Sequence, residues 1–111
     1  MNKWLLTARL VKDPEIAATQ TGKLIASLNV AIRREYKDKN TGQYESDFFR
    51  FKSFNTTADY IHKYLKKGDL VEIEAGVSNN NYEKDGEKVY KDEYIINSIS
   101  RLVSKRIIAN G

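Results

Sequence analysis

Asp47-Phe48-Phe49-Arg50-Phe51-Lys52-Ser53-Phe54 is the stretch on which the reading of this chain turns. Taken as a β-strand, its side chains alternate, so Phe48, Arg50, Lys52 and Phe54 share one side while Phe49, Phe51 and Ser53 share the other. The second set suits an ordinary core. The first interleaves aromatic rings with cations, which makes a poor core and a good platform for an unpaired nucleic-acid strand, with bases on rings and phosphates near charge. Eight residues alone also fit a core strand with one amphipathic side, so the rest of the chain decides.

At 111 residues the chain is most simply one domain with a single core. With 41% hydrophobic and 31% charged residues it reads as soluble and globular. No apolar run approaches the ~20 residues that span a bilayer, and the short apolar start is interrupted by Arg9, unlike a signal peptide. A cytoplasmic, nucleoid-associated protein is expected. The absence of cysteine excludes disulfides and thiolate metal sites, and one histidine, His62, leaves no imidazole cluster. Neither a metal nor a cofactor is expected. A net charge of +4 is too modest to identify a nucleic-acid partner by itself. Its distribution says more, because Arg101, Lys105 and Arg106 follow the last acid, Glu93.

Outward from the central stretch, the alternation recurs. Lys3–Val11 reads as a strand with Trp4, Leu6, Ala8 and Leu10 on one face, and Asp13-Pro14 then turns the chain. After a second turn at Thr19–Gly22, Lys23–Arg34 is a strand with Ala26, Leu28, Val30 and Ile32 inward. The polar stretch Glu35–Ser46 reads as a hairpin-like loop, with Tyr36 and Tyr44 flanking its tip. Beyond Phe54, Asn55, Thr56 and Thr57 offer helix caps, Ala58, Ile61 and Leu65 recur at helical spacing, and Gly68 is the expected stop. Leu70–Val77 alternates again with Val71, Ile73, Ala75 and Val77 inward. Asp85-Gly86 marks a hairpin tip, and Val89–Val103 is a last long strand, broken or bulged near Asn97-Ser98. The expected fold is all-β: a five-stranded Greek-key barrel of the OB type with one short helix between strands 3 and 4. It occupies residues 1–104, and 105–111 form a short basic C-terminal tail.

The order of these motifs resembles the bacterial-type single-stranded DNA-binding proteins of chromosomes, phages and mobile elements. Four stretches carry the resemblance: Asn2–Glu15 with its Asp13-Pro14-Glu15 turn; Thr21-Gly22-Lys23 and the strand to Arg34; Asp47–Phe51 leading into the helix and Tyr64-Leu65-Lys66-Lys67-Gly68; and Tyr82 with Asp85-Gly86, Tyr90 and Glu93. The resemblance implies base stacking on Tyr36, Phe48, Phe54 and Tyr82. Arg33, Arg34, Arg50 and Lys52 are the expected phosphate contacts. It also implies a homotetramer whose first strands pair across a dimer axis; Trp4 and Leu6 suit that contact if exposed and otherwise fill the barrel. Several positions depart from the family pattern. Phe and Tyr replace tryptophans at stacking positions, Ser78-Asn79-Asn80-Asn81 replaces basic residues, and Ala8 and Ala75 replace glycines. Cellular relatives continue to an acidic, partner-recruiting tail that is absent here, so protein partners stay undefined.

The expectation is therefore sequence-independent binding and protection of single-stranded DNA in replication, recombination or repair. An OB-fold adaptor in a replication or primosome complex and an RNA-binding OB domain are the alternatives. Catalysis is not expected, since no His/carboxylate cluster or nucleotide-cradling glycine loop is present.

Overall fold

Alternating apolar residues close into a barrel. The computed structural model describes residues 1–103, so the expected boundary at 104 and the basic tail at 105–111 lie outside the described residues. The elements are β1 (Trp4–Leu10), β2 (Glu15–Ala18), β3 (Leu24–Lys37), β4 (Tyr44–Phe54), α1 (Asn55–Tyr64), β5 (Leu70–Asn79), β6 (Tyr82–Lys84), β7 (Glu87–Val89) and β8 (Asp92–Val103). Five of them form a ring in the order β1-β5-β8-β4-β3, and β3 returns to β1. Closure pairs strand edges that an open sheet would expose. The ring is antiparallel except where β4 meets β8 in parallel, at Phe51 opposite Tyr94 and Lys52 opposite Ile95. This is the five-stranded OB barrel expected from the sequence, with its helix between the third and fourth barrel strands.

The inward residues are those that the alternation selects. Leu6, Ala8 and Leu10 of β1, Ala26, Leu28 and Val30 of β3, Phe51 of β4, and Val71, Ile73 and Ala75 of β5 are buried together. From α1 and its C-terminal boundary, Ala58, Ile61 and Leu65 join this core. Trp4 packs edge-on against Phe49, with ring centroids 5.0 Å apart, and lies 5.3 Å from both Phe51 and Tyr94. Trp4 and Leu6 thus fill the barrel, and it is Leu5 that β1 leaves exposed.

Four local departures have physical causes. The polar stretch at 35–46 is loop only at its centre, 38–43: β3 runs to Lys37 and β4 starts at Tyr44. Backbone pairing satisfies that hairpin without apolar side chains, and Asp38 accepts the Asn40 and Thr41 N–H groups at its tip. Second, β2 pairs with the lower part of β3, an extra strand that the short, weakly alternating Glu15–Ala18 hardly signals. Third, α1 has no side-chain cap. Phe54 stands at its N-cap in an extended conformation, followed by Asn55 at φ 55°. The helix ends at Tyr64, before Gly68, because Asp69 and Asp13 carboxylates accept the Lys66 and Lys67 N–H groups at 2.9 and 2.8 Å. Fourth, Val77 is exposed, since β5 continues past the barrel to Asn79.

The hairpin turn and the bulge match expectation, but the last strand begins at Asp92 rather than Val89, which belongs to the separate β6–β7 hairpin. Asp85 at φ 53° and Gly86 at φ 81° make the two-residue turn that suits a tight hairpin. In β8, Ser98 lies opposite Glu74 and Ile96 opposite Ala75, so Asn97 is the bulged residue.

Phe51 has no solvent exposure, and its ring is shared by β1, β4 and β8 through Trp4 and Tyr94. Phe51→Ala is expected to lower unfolding free energy by about 3–5 kcal/mol. Urea denaturation checks this, and a loss below about 1 kcal/mol would show that the barrel is not packed as described.

Candidate nucleic-acid interface

The outer side of β4 carries Tyr44, Ser46, Phe48, Arg50, Lys52 and Phe54 in alternation, since Phe51 and Ser53 between them are buried. Pairing with β3 sets Phe48 opposite Ala31, Arg50 opposite Asn29, Lys52 opposite Ser27 and Phe54 opposite Ile25. Small Ala31 leaves the Phe48 ring standing clear, whereas Phe54 has Ile25 beside it. Phe48 is 70% exposed and Phe54 41%. Tyr36, near the end of β3, is 73% exposed, and Tyr82, on the β6–β7 hairpin, 48%. All four expected stacking residues thus present ring surface to solvent. Phe48 and Phe54 share one strand face, whereas Tyr36 and Tyr82 belong to separate hairpins.

The four expected cations differ in their partners. Arg34 is gripped by Asp47 through two hydrogen bonds, 3.1 Å from Nε and 2.9 Å from Nη2, with Glu45 3.6 Å away. This bidentate bond holds the Asp47 carboxyl below its ordinary range and pushes the Arg34 guanidinium up. Arg50 donates to Glu15 at 3.2 Å, a carboxylate also paired with Lys12. Lys52 Nζ lies 2.9 Å from Glu93 Oε1, which also accepts from Asn80 at 2.9 Å. Lys52 and then Asn80 lower the Glu93 pKa. Only Arg33 of the four forms no ion pair among the described residues. Its guanidinium lies over the Tyr44 ring, 4.7 Å from the centroid, with Lys37 Nζ at 5.7 Å.

Sequence reading missed three features here. Tyr44 shares the parity of Phe48, a signal present in the numbering but obscured by assigning residues 35–46 to a loop. Glu15 and Glu93 reach the β4 cations from distant segments, which no local pattern reports. The asparagine run holds the base of the β6–β7 hairpin: Asn79 donates to Asp92 at 2.9 Å, Asn80 to Glu93, and Asn81 accepts the Lys91 N–H at 3.0 Å. A groove of about 240 Å³ beside Phe48, Arg50 and Lys52 is walled by Lys91, Asp92, Glu93 and Tyr94. Among the described residues no group of three or more His, Cys, Asp or Glu is placed to hold a metal ion, and no helix is long and apolar enough to cross a membrane.

A closed five-stranded barrel with solvent-facing rings and cations on one sheet face defines an OB-type binding domain rather than a catalytic cleft. Residues 1–102 match the model of the single-strand binding protein family, and the chain belongs to that family of binding proteins. It is 37% identical over 106 residues to single-stranded DNA-binding protein 1 of Staphylococcus aureus strain Mu50, covering 95% of this chain and 67% of that protein. It is also 36% identical over 112 residues to single-stranded DNA-binding protein 3 of Listeria innocua, covering 100% of this chain and 69% of that protein. Among solved structures, the wild-type single-stranded DNA-binding protein of Thermus aquaticus shares the fold with a TM-score of 0.79 at 24% identity. A deletion mutant of it gives 0.77 at 26% identity. These alignments cover 96% and 95% of this chain, which spans about half, 52%, of each Thermus chain.

The lowered Glu93 pKa fixes a sign. A carboxyl depressed in the folded state contributes stability above its unfolded pKa, near 4.5, and loses that contribution as pH falls through the folded value. Glu93→Gln is therefore expected to flatten the decline in stability as pH drops below about 4.5. Thermal melts from pH 7 to pH 3 check this; parallel curves for the two proteins would remove the pair from the account.

Proposed function

We propose that this chain binds single-stranded DNA without sequence preference and protects it during replication, recombination or repair. Unpaired bases stack on Phe48 and Phe54, with Tyr36 and Tyr82 extending the track, and Arg33, Arg50 and Lys52 face the phosphates on that side, whereas Arg34, next to Arg33 and bonded to Asp47, lies on the reverse of the strand pair. Arg50 and Lys52 would exchange a carboxylate for a phosphate oxygen on binding. The observation that carries this reading is the large exposed ring of Phe48 beside cations on a barrel strand whose other side packs Phe49, Phe51 and Ser53 toward the core. The names of the Staphylococcus and Listeria relatives support the same ligand.

A homotetramer belongs to the same proposal. It is supported by exposed Leu5 and by β1, which pairs with β5 from Trp4 to Arg9 but with β3 only at Arg9 and Leu10, leaving backbone groups for a second copy. Light scattering is expected to give about four times the 12.8 kDa chain mass, and a monomer would overturn this part.

Fluorescence titration with poly(dT) is expected to show saturable binding that an equal length of duplex does not match. The double substitution Phe48→Ala with Phe54→Ala removes two stacked bases, each contributing about 1–3 kcal/mol, so affinity should fall at least about 30-fold. Preference for duplex, or undiminished affinity without the two rings, would overturn the reading.

A further inference from the structure

The outer face is electrically lopsided. At the Phe54 end, Glu15 lies opposite Ser27, which lies opposite Lys52, and Glu15 and Glu93 neutralise Arg50 and Lys52. At the Phe48 end the same row-by-row pairing runs Arg9 of β1, Ala31 of β3, Phe48 of β4. Directly paired residues share a sheet face, so Arg9 stands on the same side as Phe48, about 10 Å away across two strand spacings. Between them Ala31 presents only a methyl group. Arg33, the next residue on that side of β3, lies opposite Ser46.

Arg9, Ala31, Arg33 and Ser46, with Thr7 and Leu70, line one groove of about 490 Å³, whereas Phe48 borders the groove on its other side, beside Arg50 and Lys52. No carboxylate lines the groove of Arg9 and Arg33. Arg9 donates to the Gly68 carbonyl at 2.7 Å, which orients the guanidinium without neutralising it. Arg33 is likewise uncompensated by any acid among the described residues, and it lies over the Tyr44 ring, which is itself exposed on the Phe48 side of β4. A cation without an acidic partner releases more counterion-binding capacity to a phosphate than one that must first leave a carboxylate.

We infer that the phosphates of the bound strand are anchored chiefly at the Phe48 end of the face, by Arg9 and Arg33 across the groove over Ala31, with Tyr44 on Arg33 as an additional base platform. This rests on the single-stranded DNA reading above and adds to it Arg9 and Tyr44, which the sequence pattern did not select. The strand then crosses from β4 over β3 onto β1 rather than following β4 alone.

The test is the dependence of oligo(dT) affinity on salt concentration. Each phosphate neutralised contributes about 0.7 to the log–log slope on a single strand. Arg9→Gln and Arg33→Gln are each expected to reduce the slope by about that amount, Arg50→Gln by clearly less, and Lys63→Gln, on α1, not at all. Arg9→Lys should restore the slope lost in Arg9→Gln. Because Arg9 also bonds the Gly68 carbonyl, Ala31→Glu provides a second route. It leaves both arginines in place and sets a carboxylate between them, and it should weaken binding by at least about tenfold. Tyr44→Ala should lower affinity at constant salt slope. A folded Arg9→Gln protein with the wild-type slope, or Ala31→Glu with undiminished affinity, overturns the anchor. Failure of the wild type to bind oligo(dT) at all would instead overturn the proposed function.

Discussion

The structure depends on how β4 is held. Its backbone is paired on one edge with β3 along most of its length and on the other with β8 at Phe51 and Lys52, so it has no freedom to rotate or slip. Because side chains alternate with a period of two, a one-residue slip would send Phe48, Arg50, Lys52 and Phe54 into the barrel and expel Phe49 and Phe51. Such a slip would bury two cations and separate Phe51 from Trp4 and Tyr94, whose rings pack about it. The outward display of rings and charge is thus a consequence of core packing. Stability and the proposed binding surface are set by opposite faces of one strand.

The charges on that surface are arranged with economy of affinity. Ion pairs between exposed side chains contribute little, so exchanging Glu15 for a phosphate at Arg50 is nearly balanced. Cations so paired discourage stray anions and tether loops: Glu15 joins β2 to β4, and Glu93 joins β8 to β4 and, through Asn80, to the hairpin base. Arg9 and Arg33 have no such duty toward an acid among the described residues. A face divided in this way separates geometric support at one end from open positive potential at the other.

Much of the fold was legible because it is local. The inward set of β1, β3 and β5, the Asp85-Gly86 turn and the bulge at Asn97 all follow from residue types and spacing over fewer than a dozen positions. The exposure of Phe48 and Phe54 follows in the same way, since Phe49 and Phe51 claim the other side. Where locality fails, so did the reading. The polar hairpin of β3 and β4 is strand because backbone groups find partners across it, although its side chains carry no apolar alternation, and Tyr44 was hidden with it. Gly68 is the local signal for the helix stop, but Asp13, far earlier in the chain, supplies one of the acceptors that end it.

By itself, then, the sequence determined which residues turn inward, which rings and cations share the outer side of the central strand, and where the closing hairpin bends, because each is a matter of period and backbone preference. Only the tertiary structure decided which of those cations carry open charge. Glu15 lies 35 residues from Arg50, and Glu93 lies 41 from Lys52. Arg9 meets the row of Phe48 only when β1 closes onto β3. Pairings across such separations are created by barrel closure, and no local pattern encodes them.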